Sequence, residues 1–283
     1  MNKRFSVIVP CYKNSQYLHD CIDSIIEQDY DEIELIIAED GGGNFDADYF
    51  RGYIENNKKE NVVRYEVYSN ECNLGTVKNL NCALRKSTGR YIKLIAADDA
   101  LAAKNVLSGV ASAIEKSSDG CIVCDVIMCN NELKFLYKYE SDYYNMIAQM
   151  SPDDCLKNNC IINRINAVGI FFRKDFFEKY GLFDEKYRLM EDWPKWLELY
   201  DAGGIIEHYP YTATKRRVAT GVVANNNPYY LSDRRKIWKY NIKNTKKKIG
   251  LGLYIKSFIA AYFYSNSFMR KIYYKIRKNK ENI

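Results

Sequence analysis

The sequence predicts an α/β fold, a mostly parallel central sheet with helices on its faces, followed by a basic helical tail. Two observations carry this expectation. Short apolar runs alternate with segments of helical period through the first 130 residues, and the balance of charge reverses near residue 233. "FSVIVP" lacks the polar alternation of a half-exposed strand and reads as a strand buried on both faces. From Asn14 to Gln28, Leu18, Cys21, Ile22, Ile25 and Ile26 share one helical face, with Asn14 or Ser15 as the N-cap. "IELIIA" is the next strand, and this strand–helix–strand order makes a right-handed unit with parallel strands. "VVRYEVY", a helix over 76–86, "RYIKLIAA", a helix over 103–116 and "CIVCDVIMC" continue the pattern. After a tyrosine-rich segment, helical or irregular, come "NAVGIFFRK", the helix "DFFEKYG", and a helix with Trp193, Trp196, Leu197 and Tyr200 at i, i+3, i+4 and i+7.

Several chemistries are excluded early. The two histidines, His19 and His208, are too few and too far apart in sequence to favour a Ser-His-Asp triad, a histidine zinc site or a Cys-His pair. Glycine-rich dinucleotide and P-loop signatures are absent. Nine irregularly spaced cysteines, with Met1 to Arg4 leading directly into the first strand, suit a reducing, cytoplasmic compartment. Cys121 and Cys124 match C-x-x-C inside a strand-like run with no second pair, which disfavours a metal or redox role.

Carboxylates remain. In open α/β sheets ligands bind at the C-terminal ends of the strands, and here those ends read "VPCYKN", "AEDGGGN" and "AADDA". Adjacent Asp98 and Asp99 at such an end suit a hard divalent cation, Mn²⁺ or Mg²⁺, that completes its shell with water and substrate phosphate. Helix capping by Asp99 is the competing structural reading. Glu191 and Asp192 likewise suit the positive end of a helix dipole.

Three stretches in order, "FSVIVPCYKNSQYLHDCIDSIIEQDYDEIELIIAEDGG", "NLGTVKNLNCALRKSTGRYIKLIAADD" and "EDWPKWLEL", resemble the family-2 glycosyltransferases of the bacterial surface-polysaccharide type. The resemblance covers roughly residues 4–220 and implies the Rossmann-like GT-A fold. It implies a domain over 1–233, in which 1–130 bind a nucleoside-diphosphate sugar and 131–233 bind the acceptor. It further implies a hexosyl or N-acetylhexosaminyl transfer that inverts the anomeric carbon.

Roles follow residue by residue from the resemblance. The loop Pro10 to Tyr12 and Asp40 hold the base, with Asp40 accepting from a pyrimidine N3–H, which suits UDP or dTDP carriers. Asp98 faces the ribose or the metal, and Asp99 the metal. Ala96 stands where many members carry a further acid. Lys78 is placed for the diphosphate, as are Arg216 and Arg217, although the histidine usual near that segment is missing. Asp192 is the expected general base that takes the acceptor hydroxyl's proton, and Glu191 supports it or contacts the acceptor.

The net charge of +6 conceals an asymmetry: residues 1–233 carry 27 Lys and Arg against 35 Asp and Glu, whereas 234–283 carry 15 against 1. A basic, aromatic tail on an acidic body suits an anionic membrane surface, and so a saccharide or lipid-linked acceptor at the inner face of the cell membrane. Lys256 and polar residues within the apolar piece 249–268 disfavour a transmembrane helix. Packing of the tail on the catalytic domain is the second reading, nucleic acid is disfavoured as a partner, and an oligomer is compatible with the chain. The alternatives to a transferase are a sugar-nucleotide nucleotidyltransferase, against which stands the lack of a glycine-rich basic loop, and a non-catalytic nucleotide-sugar-binding module, favoured by Ala96 alone.

Overall fold

The computed structural model describes residues 3–139, 141–218 and 227–263. Strands β1 (Phe5–Cys11), β2 (Ile33–Glu39), β3 (Val62–Ser69) and β4 (Tyr91–Leu94) are joined by helices α1 (Leu18–Ile26), α2 (Ala47–Asn57) and α3 (Thr76–Lys86). These strands lie in the order β3-β2-β1-β4, all parallel, as expected. The chain continues through β5 (Ala100–Leu101), α4 (Val106–Lys116), β6 (Cys121–Cys129), β7 (Phe135–Tyr139), α5 (Ser141–Ile147) and α6 (Pro152–Asn159). It then forms β8 (Ile170–Arg173), α7 (Asp175–Tyr180), α8 (Asp192–Asp201), β9 (Glu207–Arg217), α9 (Pro228–Ile237) and α10 (Lys246–Phe263).

Beyond β4 the sheet is mixed. β8 lies antiparallel between β4 and β6, with Ile92 opposite Phe172 on one side and Cys121 opposite Phe172 on the other. β9 runs parallel to β6 and antiparallel to β5. Strands from the expected acceptor half therefore complete the sheet of the expected donor half.

Alternate residues of a strand face opposite sides, and the sheet divides the core accordingly. Val7, Val9, Leu35 and Ile37 pack against α1, α2 and α4 on one face. Ile8, Ile36 and Ile92 pack on the other against α3, α8 and residues of the tail. Each fully buried aliphatic side chain contributes about 1.5–3 kcal/mol relative to exposure, so strands buried on both faces anchor the loops at their ends.

One local expectation is corrected. Asn14 does not cap the first helix; a short 3₁₀ turn, Ser15–Tyr17, precedes α1, and the Asn14 side chain makes no cap bond. It accepts instead from the Tyr12 N–H at 3.1 Å and donates to Asp98 at 3.3 Å. The expected strand over 90–97 ends at Leu94, though Ile95 and Ala97 still donate to the carbonyls of Ile8 and Pro10.

The tail packs on the body. Ile237, Trp238, Ile242, Ile249 and Ala261 are buried in the same core cluster as α3 and α8. No helix among the described residues is long and apolar enough to cross a membrane. The expected tail's residues 264–283 lie outside the described residues.

Candidate active site

The site forms where β1, β2 and β4 end. Asp40, just beyond β2, is buried and hydrogen-bonds through its backbone N–H to the Cys11 carbonyl at 2.9 Å, which sets it beside the loop that contains Tyr12. Its carboxylate accepts from the backbone N–H groups of Leu74 and Gly75, both at 2.8 Å, and from Asn70 at 3.1 Å. Asn70 also donates to Asn79, whose amide reaches the Ala38 carbonyl at 2.8 Å. Asp40 thus holds the loop that enters α3. Pro10 takes part through its carbonyl, which accepts from Ala97.

Asp98 and Asp99 sit in a tight turn between β4 and β5, in which the Asp99 N–H donates to the Ala96 carbonyl at 2.9 Å. Because β5 pairs with β9, Ala100 opposite Lys215, the next two residues of β9 meet this turn. Arg217 is buried and grips it: its backbone N–H donates to the Asp99 carboxylate at 3.0 Å and its guanidinium to the Asp98 carbonyl at 2.7 Å. The remaining donors of that guanidinium go to the Asn131 carbonyl and to Asp20, and its plane lies over the Tyr17 ring. Expected to share a role, Arg216 and Arg217 are thereby separated. Arg217 is engaged within the protein as a clamp on the acid turn, while the charge of Arg216 acts on Asp99, Glu191 and Asp192.

Burial and the neighbouring Asp98 push the Asp99 carboxyl up to about 7, against the opposing influence of Arg216, the Arg217 N–H and Lys93. Lys93 lies beneath, wholly buried on β4, donating to the Ile170 and Val168 carbonyls; burial pushes its ammonium down to about 7. Two adjacent, poorly solvated carboxylates fit a divalent cation, which relieves their mutual repulsion and needs only one or two protein ligands when phosphate and water supply the rest.

Glu191 and Asp192 begin α8, half-buried. Asp192 accepts from Asn163 at 2.7 Å and from the Trp193 N–H at 2.6 Å. Asp192 is the first residue of α8, at the end of the helix where a dipole role is expected of it, and the charge of Arg216 acts on it as well. Both carboxyls are raised, chiefly by burial; Asp192 raises Glu191 further, and hydrogen bonds moderate the shift at Asp192. A raised carboxyl near neutral pH is suited to exchange a proton with a hydroxyl.

Lys78 is exposed on the first turn of α3, and the carboxylate that feels its charge is Glu185. Sequence reasoning missed Asn70 and Asn163, read Asn14 only as a cap, and gave no role to Glu39, whose carboxylate braces the glycine loop through the Gly42 N–H at 2.7 Å. Polar residues adjoining the ends of apolar strands were the available signal for Asn14, Glu39 and Asn70.

Two acid pairs, Asp98–Asp99 in the turn after β4 and Glu191–Asp192 at the start of α8, thus stand on an α/β fold, with the charge of Arg216 acting on Asp99, Glu191 and Asp192. The comparisons with known proteins are specific: the profile of "Glycosyl transferase family 2" matches residues 6–181, and the chain belongs to that family. It is similar to the processive diacylglycerol beta-glycosyltransferase of Mycoplasma genitalium, 28% identical over 71% of this chain and 59% of that protein. The solved structure of residues 1–349 of TarS from S. aureus in complex with UDP-GlcNAc shares the fold, with a TM-score of 0.63 at 17% identity over 91% of this chain and 73% of that one. So does the mannosyltransferase PcManGT from Pyrobaculum calidifontis, solved with GDP-Man and Mn²⁺, at a TM-score of 0.55 and 18% identity over 93% and 70%. Nucleotide-sugar-dependent glycosyl transfer, for which family members typically use a divalent metal, is the activity of the class.

Proposed function

We propose that the protein moves a hexosyl or N-acetylhexosaminyl group, with inversion, from a UDP- or dTDP-linked donor to a hydroxyl of a saccharide or lipid-linked acceptor in cell-surface polysaccharide synthesis. The observation that carries this reading is the acid turn beyond β4, where Arg217 of β9 fixes the Asp99 carboxylate and the Asp98 carbonyl while the charge of its neighbour Arg216 acts on Asp99 and on the Glu191–Asp192 pair. The lipid-acting Mycoplasma relative and the UDP-GlcNAc-bound fold neighbour support the choice of acceptor and carrier.

In this reading Pro10, Tyr12 and the loop held by Asp40 receive the nucleoside. Asp98 and Asp99 would hold Mg²⁺ or Mn²⁺, whose charge stabilises the departing diphosphate. Arg216 meets the diphosphate from β9, and Arg217 keeps the acid turn in place. Asp192 accepts the proton of the acceptor hydroxyl as its oxygen attacks the anomeric carbon. That carbon's bond to the diphosphate breaks on the opposite face, and its electron pair leaves with the phosphate. Glu191 sustains the charge balance around Asp192 and contacts the acceptor. Residues 1–130 then act on the donor and 131–233 on the acceptor.

We further infer that α10 rests on an anionic membrane surface at the inner face of the cell membrane. Leu251, Ile255 and Ile259 are exposed at four-residue spacing beyond the break at Gly250, with exposed Lys256 in the same stretch and exposed Lys247 before it. Vesicle flotation compares full-length protein on anionic and neutral lipid; equal partition refutes this part alone.

The test of the transfer itself is incubation of the protein with UDP-, dTDP- and GDP-sugars, with and without Mn²⁺, with the anomeric configuration of product or released sugar read by NMR. One pyrimidine-nucleotide sugar is expected to turn over, with metal, to the inverted anomer. Binding without turnover supports a binding module instead, and absence of binding refutes the donor site.

A further inference from the structure

We infer that Asp233, on α9, is a positioning residue for the Glu191–Asp192 pair, the inference resting on the proposed role of that pair. Its side chain is wholly buried, and one carboxylate oxygen accepts three consecutive backbone N–H groups, from Arg188 at 2.9 Å, Leu189 at 2.7 Å and Met190 at 3.3 Å. The next residue is Glu191. Converging N–H groups form an anion-binding concavity, and hydrogen bonds to a charged acceptor are roughly twice as strong as neutral ones. A carboxylate here therefore dictates the backbone path of the residues that lead into α8.

The same segment is held from its other side. Val77 donates to the Arg188 carbonyl at 3.3 Å, and the Arg188 guanidinium donates to Asn73, to its carbonyl at 2.9 Å and to its side chain. At Gly75, with φ near +89°, a Cβ would lie 2.5 Å from the Arg188 Cγ and 2.7 Å from its carbonyl oxygen, so only glycine admits this approach. Leu74 and Gly75 are the residues whose N–H groups Asp40 holds. Contacts thus run without a break from Asp40, through 73–77 and Arg188, to the loop that Asp233 clamps. This chain of contacts ties the residues around Asp40 to the loop that leads into Glu191 and Asp192, and α9 closes it.

The groups that face Glu191 electrostatically are Asp192, Arg216 and Asp233, the last of which raises its carboxyl. Lys236 stands 3.4 Å from the second oxygen of Asp233 and also donates to the Lys186 carbonyl at 2.7 Å. Asp233→Asn keeps the shape and removes the charge; Asp233→Ala removes both.

The experiment uses the full chain with the donor found active for wild type, and measures kcat, donor Kd, the pH profile and amide hydrogen exchange at 188–190. Displacement of a reacting group by about 1 Å costs about 10²-fold in rate. The expected result is a kcat loss of about that size in Asp233→Ala and a smaller one in Asp233→Asn, with donor Kd within about twofold of wild type. Exchange at 188–190 accelerates in both, and a limb of the kcat/KM profile that reports Glu191 moves to lower pH in Asp233→Asn because a negative charge beside Glu191 is gone. Unchanged exchange at 188–190, or kcat within about twofold in both variants, overturns the inference while leaving the transferase reading intact. A wild type inactive with every donor refutes the transferase reading, and the exchange result then decides the clamp by itself. If Asp233→Ala does not fold, Asp233→Asn carries the same outcomes.

Discussion

The protein carries two pairs of adjacent acids, Asp98–Asp99 and Glu191–Asp192, and their surroundings divide them. The first pair lies in a turn clamped by buried Arg217 and touched by Asn14. The second opens a helix, with Asn163 and the Trp193 N–H on Asp192 and the preceding loop fixed by Asp233. Burial raises carboxyls in both. In the first pair the clamp bonds one Asp99 oxygen and the main chain, a layout that favours a metal held by rigid carboxylates. In the second, hydrogen bonds orient Asp192, and no ion pair to it occurs among the described residues, a layout that favours a proton acceptor. The lesson is that partners, not the acids themselves, separate a cation site from a base.

The comparison breaks most visibly at Asp192. Asp192→Asn is expected to lower transfer by about 10³-fold, within the usual range for a lost general base, while nucleotide affinity in a titration stays at the wild-type value. A comparable fall in nucleotide affinity would make the two pairs one site with one role.

A smaller effect is expected from the clamp. Arg217→Lys cannot reproduce contacts made by a planar, forked guanidinium, and the buried carbonyl of Asp98 loses its partner, as does the carbonyl of Asn131. A stability loss of about 2 kcal/mol follows, read as a drop of roughly 4–8 °C in thermal midpoint. Arg216→Lys, whose change leaves those contacts intact, should keep the midpoint and weaken turnover.

The smallest effect sharpens the electrostatic side. Folded Glu191 keeps its proton to higher pH than it does in the unfolded chain. Between those two values the native state holds more protons, so stability falls as pH rises. Glu191→Gln removes that decline. Its thermal midpoint should match wild type near pH 5 and exceed it by roughly 2–4 °C near pH 8; a gain that is the same at both pH values contradicts the assignment.

Much of this was legible in the sequence because local pattern and tertiary burial agree there. The helix over 76–86 appears with its expected ends, and "FSVIVP" and "IELIIA" are buried as strands on both faces. The helix expected over 103–116 starts at Val106, where periodicity says little about the first turn. What escaped is non-local. "IFFR" declares itself a strand but not that it runs antiparallel between β4 and β6. Arg216 and Arg217 look equivalent in sequence, yet strand alternation turns one inward to the acid turn, more than a hundred residues away. Asp233, an acid beside the basic tail, gives no periodic sign that three backbone N–H groups converge on it.

The most direct test of the account is titration of UDP into wild type, Asp99→Asn and Asp192→Asn in the presence and absence of Mn²⁺. The division of roles predicts that Asp99→Asn loses the metal-dependent part of UDP affinity, by roughly 10–100-fold, whereas Asp192→Asn binds as wild type does. Equal loss in both variants, or retained metal-dependent binding in Asp99→Asn, contradicts it.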